Sequence, residues 1–217
     1  MQTPNQIAPP PWTLHGSGVV MLYHFPRTFN EQYGFMQPYQ QAAYRGWVGA
    51  VMLVDYATSG VGAYQELLYI PGCFKLDGKW VFSISKIYVS TYDSVWNGIE
   101  NWGIPKELAD FAVQKDSTGI RRFSVSQTGV PFFSAELKPW SFALPVSSSL
   151  LPPLRIVQER RNALLLTQPQ ASGKAQLATL KSVQADAAYF PPLQHLKPLL
   201  VSSIPRFTMT FPLPKLL

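Results

Sequence analysis

Trp102-Gly103-Ile104-Pro105-Lys106-Glu107-Leu108 sets one lysine directly after a proline, among apolar neighbours. Proline suits the first position of a helix, where its missing N–H costs nothing. Ile104, Leu108 and Phe111 recur at helical spacing, so the local reading is a short helix over Pro105–Phe111. There the positive end of the helix dipole would push the pKa of Lys106 down. Trp102, Ile104, Leu108 and Phe111 would supply apolar cover. The bland alternative is a solvated lysine at a helix end.

Outward from this stretch the chain reads as short strands. Val19–Phe25, Trp47–Tyr56, Ala63–Ile70, Lys79–Ser90, Arg122–Gln127, Val130–Leu137, Ala163–Thr167, Lys174–Val183 and Arg206–Phe211 are short, β-branched or aromatic runs. A second helical stretch is expected around Phe29–Gln41. Pro145–Pro153 reads as a linker or crossover loop. The 20 prolines are spread throughout, which disfavours extensive helix. The expected class is mainly β, a β-rich α+β fold in which strands close into a sandwich or barrel with a few short helices. Too few segments follow residue 153 for an independent core, so one domain over residues 1–217 is expected.

With 47% hydrophobic and 14% charged residues the chain is globular rather than disordered. Net charge is +6, but the basic residues are scattered; Arg160-Arg161, near Arg155, form the one tight cluster. No basic stripe interleaved with aromatics appears, so nucleic acid is not an expected partner. The single cysteine, Cys73, excludes an internal disulfide, and His15, His24 and His195 lack metal-ligand spacing. No cofactor or metal is expected. Met1–Asn5 lacks the basic and apolar segments of a leader, and no apolar run reaches membrane-spanning length. A soluble cytoplasmic protein, not bound to membranes, is the expectation.

Two segments carry a resemblance. The first is Thr58-Ser59-Gly60-Val61-Gly62-Ala63-Tyr64-Gln65-Glu66. The second runs from Tyr88 through Gly98-Ile99-Glu100 to Pro105-Lys106-Glu107-Leu108. In this order and at this separation they resemble the acetoacetate decarboxylase family. The resemblance implies a closed or cone-shaped antiparallel β-barrel around an apolar cavity, and a homo-oligomer. It implies that Lys106 forms an imine with a keto acid or other small carbonyl compound, and that Glu66 is the active-site glutamate. Substrate contacts fall on Tyr64, Ser59, Gly60, Trp102 and Ile104.

The residues fit those roles on their own chemistry. A lysine attacks a carbonyl only as the free amine, yet at its usual pKa of about 10.4 it is almost wholly protonated at neutral pH. Burial or a nearby positive charge lowers that value, and acetoacetate decarboxylase is itself the established example of this activation. Strand alternation puts Tyr64, Glu66, Leu68 and Ile70 on one face, so Glu66 shares a largely apolar side and could move protons beside an imine. Gly60 and Gly62 would make the turn that brings this strand in.

Several positions depart from the family. Its second lysine is Glu107 here, and the basic residue of its Gly-Arg-Glu element is Ile99. In a loose alignment the substrate-binding arginine falls at Ser17 and a strand glutamate at Val51, while Ile104 stands where tyrosine is usual. Such changes make the pocket more apolar. The expected function is a carbon–carbon lyase working through an imine on Lys106, by decarboxylation or by related aldol or dehydration chemistry. The alternative is a non-catalytic barrel that binds an apolar small molecule. An interaction protein using its aromatic and proline-rich surface ranks last, since most aromatics serve as core.

Overall fold

The computed structural model describes residues 3–150 and 152–217. Met1 and Gln2 of the N-terminal stretch, and Leu151 of the 145–153 loop, lie outside the described residues.

In chain order the strands are β1 (Trp12–His24), β2 (Tyr44–Gly46), β3 (Val48–Thr58), β4 (Tyr64–Ile70), β5 (Cys73–Leu76), β6 (Lys79–Phe82), β7 (Lys86–Val89), β8 (Lys106–Leu108) and β9 (Asp110–Lys115). They continue as β10 (Arg121–Gln127), β11 (Val130–Pro139), β12 (Leu144–Ser147), β13 (Ile156–Arg160), β14 (Ala163–Thr167), β15 (Gln170–Ala185), β16 (Leu200–Phe211) and β17 (Lys215–Leu216). The helices are α1 (Arg27–Tyr33), α2 (Pro38–Ala43) and α3 (Tyr92–Trp102). None of them is long and apolar enough to cross a membrane.

The main sheet runs β8-β7-β4-β3-β1-β16-β15-β11-β10-β9, with β12 added on β15. Its neighbours are antiparallel except β7 and β8. The first strand of this order, β8, and the last, β9, are consecutive in the chain with only Ala109 between them. The sheet must therefore curl until its two edges meet at that residue. The result is a strongly curled half-barrel rather than a ring of paired strands. A smaller sheet, β17-β14-β13-β6-β5-β2, covers one end of the cavity side.

Period-2 alternation divides the core between the two faces of the main sheet. Val51, Leu53, Leu67, Tyr69, Tyr88, Phe123 and Leu137 pack on one side. Val54, Tyr56, Tyr64, Leu68, Ile70, Ile87, Trp102 and Ile104 pack on the other, which faces α3.

Most of the expected strands are present with shifted ends. Lys79–Ser90 is two strands, broken at residues 83–85 where β6 and β7 join different sheets. The helix expected around Phe29–Gln41 is the pair α1 and α2, separated by a turn in which Phe35 has φ 51°. Part of the presumed linker, Leu144–Ser147, is strand paired to β15.

The helix expected over Pro105–Phe111 is absent: Lys106–Leu108 and Asp110–Lys115 are strands. The helix lies just before, as α3. Thr91 caps its start by accepting from the Ser94 N–H, and Gly103 ends it at φ 69°. Glycine in the left-handed region closes a helix, and a proline shortly after prevents its resumption. Pro105 is thus a stop signal, and the dipole argument for Lys106 falls with the helix. Ile104, Leu108 and Phe111 share no face. Ile104 is buried in the core beside α3, Leu108 is 47% exposed, and Phe111 packs on the opposite core.

Candidate active site

Lys106 starts β8, opposite Ile87 of β7. Ile87 pairs with Leu68 of β4, two residues from Glu66 on the same face. Lysine and glutamate therefore come together across three strands. Lys106 Nζ lies 3.0 Å from Glu66 Oε2, and the two residues are only 6% and 5% exposed. The ammonium also donates to Ser94 Oγ at 3.0 Å and to Tyr64 Oη at 3.4 Å. It sits 4.9 Å from the centre of the Tyr64 ring. Glu66 Oε1 accepts from the Tyr56 hydroxyl at 3.1 Å.

Helix α3 shapes this arrangement from the other side. Ser94 and Gly98 are one turn apart, so they share a face. A β-carbon on Gly98 would lie 2.6 Å from Cδ and 2.9 Å from Cε of Lys106. The lysine stem thus occupies space that only glycine leaves free. Gly98 is one of the motif residues that carry the family resemblance; Ser94 lies in the same segment but is not one of them, and only its place one turn before Gly98 points to it.

Around the pair is a cavity of about 110 Å³, in which, among the described residues, Lys106 and Glu66 are the only charged lining residues. Trp12, Leu68, Ile87, Trp102, Ile104 and Phe211 form much of the wall. The rings of Trp12 and Trp102, and those of Trp102 and Phe211, meet edge-on at 5.0 Å. That space suits a small molecule and is well below the usual several hundred Å³ of drug-sized pockets.

Burial works to lower the pKa of Lys106, but the oxygens of its partners Tyr64 and Glu66 outweigh it, and the balance lies above the ordinary lysine value. The resting site holds an ammonium, the reverse of the lowered pKa expected from the sequence. Burial raises the Tyr64 phenol to about 12 despite the adjacent ammonium. Because the folded pKa of Lys106 is raised, its contribution to stability is complete below the unfolded value of about 10.4. That contribution is lost as pH rises through the folded value. Tyr64→Phe removes one of the raising influences. The pH profile of amine reactivity is expected to move to lower pH in that variant, read by reductive trapping across a pH series; an unmoved profile would discount the role of Tyr64.

The other expected site residues fall as follows. Tyr64, Trp102 and Ile104 line the cavity. Ser59 and Gly60 do not: the Ser59 hydroxyl accepts from the Val61 N–H and donates to the Gly62 carbonyl within its own turn. Gly60 lies against Trp12, where a β-carbon would come within 2.5 Å of the indole nitrogen. Of the two glycines, only Gly62 takes a positive φ, 86°.

Val51 faces the opposite core. Ser17 lines a separate groove with Lys115 and Arg121. Ile99 is 38% exposed. Glu107 points away from Lys106, as adjacent strand residues must, and pairs with Lys86. The side chain of Glu107 is 42% exposed, and such pairs contribute about 0–1 kcal/mol. Glu107→Ala is therefore expected to leave trapping at Lys106 unchanged and cost at most about 1 kcal/mol in a urea melt; a large shift in reactivity would contradict this separation. Arg160 and Arg161, the tight basic cluster, both bond Glu100.

A strongly curled β half-barrel of this kind is the fold of acetoacetate decarboxylase-like enzymes. The chain belongs to the acetoacetate decarboxylase family, whose model matches residues 35–192.

Solved structures of the same fold include the acetoacetate decarboxylase of Legionella pneumophila subsp. pneumophila str. Philadelphia 1. It is 15% identical with a TM-score of 0.74, over 100% of this chain and 92% of that one. The enduracididine biosynthesis enzyme MppR, complexed with the condensation product of pyruvate and imidazole 4-carboxaldehyde, is 14% identical with a TM-score of 0.65, over 97% and 90%. An acetoacetate decarboxylase-like enzyme from Sphingomonas wittichii RW1 is 9% identical with a TM-score of 0.68, over 95% and 92%. At these identities the likeness is one of fold. No curated protein matches the chain.

Proposed function

We propose that the protein is an imine-forming enzyme of the acetoacetate decarboxylase kind, with Lys106 as nucleophile and Glu66 as the group that moves protons. The observation that carries this reading is the 3.0 Å contact between Lys106 Nζ and Glu66 Oε2 in an otherwise apolar cavity. Transfer of one proton across that contact turns the ion pair into a neutral amine and a neutral acid. No charge leaves the site, and the amine gains its lone pair. A carbonyl compound entering the cavity is then attacked at carbon. One proton of the amine and one from the acid go to the carbonyl oxygen, which departs as water and leaves an iminium. The bond between the α-carbon and its leaving fragment then breaks; the fragment departs as carbon dioxide or as a second carbonyl compound, and the electron pair moves into the iminium to give an enamine. Protonation of the enamine carbon and hydrolysis return the free lysine.

The same electron sink serves decarboxylation, retro-aldol cleavage and dehydration. MppR, of similar fold, is complexed with a condensation product of pyruvate and an aldehyde, which supports carbonyl compounds as occupants of such a cavity. The test is borohydride reduction in the presence of pyruvate, acetoacetate, simple ketones and aldehydes, followed by peptide mass analysis. A substrate-derived mass on the peptide containing Lys106 is expected. Absence of any adduct across the panel would overturn the reading.

A further inference from the structure

On the same face of the main sheet as the Lys106 cavity lies a second, larger hollow of about 280 Å³. Val20 of β1, Val54 of β3, Ala171 of β15 and Phe207 of β16 line it, together with Val146–Ser148. Among the described residues no charged side chain lines it; its polar side chains are the phenol of Tyr56 and the hydroxyls of Ser147, Ser148 and Ser172. Met52, Tyr56 and Met209 line both hollows. The partition between them is thus two thioether side chains and one ring. Methionine side chains are unbranched and repack readily, so this partition can open without backbone movement.

Resting on the imine reading of Lys106, we propose that this hollow receives the hydrocarbon tail of the carbonyl compound that reacts there. The substrate is then a neutral carbonyl compound with an apolar chain, not a small keto acid, and a retro-aldol or dehydration step rather than decarboxylation follows on its imine. Two features support this. Behind the shared Met52, Tyr56 and Met209 side chains, the volume next to the reacting amine adjoins an apolar space larger than itself. The cavity also offers a carboxylate no cation apart from Lys106, whose charge is already matched by Glu66. A buried carboxylate without its own partner is strongly disfavoured, whereas an alkyl chain gains from every buried methylene.

The test is reductive trapping of the whole protein with methyl ketones from acetone to nonan-2-one, beside acetoacetate. The half-saturating concentration is expected to fall about fourfold per added methylene until the hollow is full. Pentan-2-one is expected to be trapped at lower concentration than acetoacetate. Ala171→Trp, which fills the hollow, should flatten the series, so that nonan-2-one is trapped no better than acetone. Ala171→Leu, a milder change, should shorten it. Nonan-2-ol, which cannot form an imine, should bind the wild-type protein in calorimetry and not the tryptophan variant.

Trapping without dependence on chain length, or stronger trapping of acetoacetate, overturns the tail site and leaves the imine reading standing. Binding of nonan-2-ol with no adduct from any carbonyl overturns the imine reading, and with it the role given to the tail.

Discussion

Lys106→Ala is expected to abolish every borohydride-trapped adduct and to lower stability by about 3–5 kcal/mol, the cost of breaking a buried ion pair from one side. The loss of the adduct follows from the loss of the amine. The loss of stability follows from Glu66, which is 5% exposed and would keep only the Tyr56 hydroxyl as a partner for its charge. The double variant Lys106→Met/Glu66→Leu removes both charges and leaves apolar side chains in an apolar cavity. It is expected to recover most of that stability while remaining inert, because replacing a whole buried pair is often neutral or favourable. Denaturant melts of the three proteins, with reductive trapping of each, check both halves. Adducts persisting on another lysine, or a double variant no more stable than the single, would contradict the assignment.

Gly98→Ala is the second change with a large expected effect, and it separates folding from chemistry. The new methyl group would press on Cδ and Cε of Lys106, atoms of a flexible stem that can move aside. The protein should therefore fold with little loss. The amine should not stay where it is, since its bonds to Glu66, Ser94 and Tyr64 depend on the path of that stem. A displacement of about 1 Å at a reacting group can cost about 100-fold in rate. The trapping rate with a good substrate is expected to fall by about that factor, with a smaller loss of stability than Lys106→Ala because the shifted ammonium still offsets the Glu66 charge. Full reactivity in this variant would show that the stem has room the structure does not give it.

Much of the fold was legible because strands bury alternate residues. The face shared by Tyr64, Glu66, Leu68 and Ile70 is written in the spacing of β4, and that face lines the cavity. The meeting of Lys106 with Glu66 was not legible from spacing, because it depends on three strands in register; the likeness to the family supplied it. Helix α3 was missed for a physical reason. Its buried positions include Ser94, Asn97 and Gly98, while Ile99 is exposed. A helix that turns polar and small residues inward to hold a lysine does not show the apolar stripe by which helices are recognised. Its end signals, Thr91 and the pairing of Gly103 with Pro105, were present, but Pro105 was read as a beginning. The pKa of Lys106 was misjudged because the sequence shows the burial and hides how close Tyr64 and Glu66 come.

The two halves of the charged pair differ in how firmly their backbones are held. Glu66 lies in β4, hydrogen-bonded to β3 on one edge and β7 on the other. Lys106 lies in β8, an edge strand of three residues joined to the far edge of the sheet through Ala109. Short edge strands open at lower free energy than central ones. Amide hydrogen exchange at Lys106 and Glu107 should thus outrun exchange at Glu66 and Leu67 under native conditions. The lysine of the pair rides on the part of the framework that breathes, and its carboxylate partner on the part held more firmly.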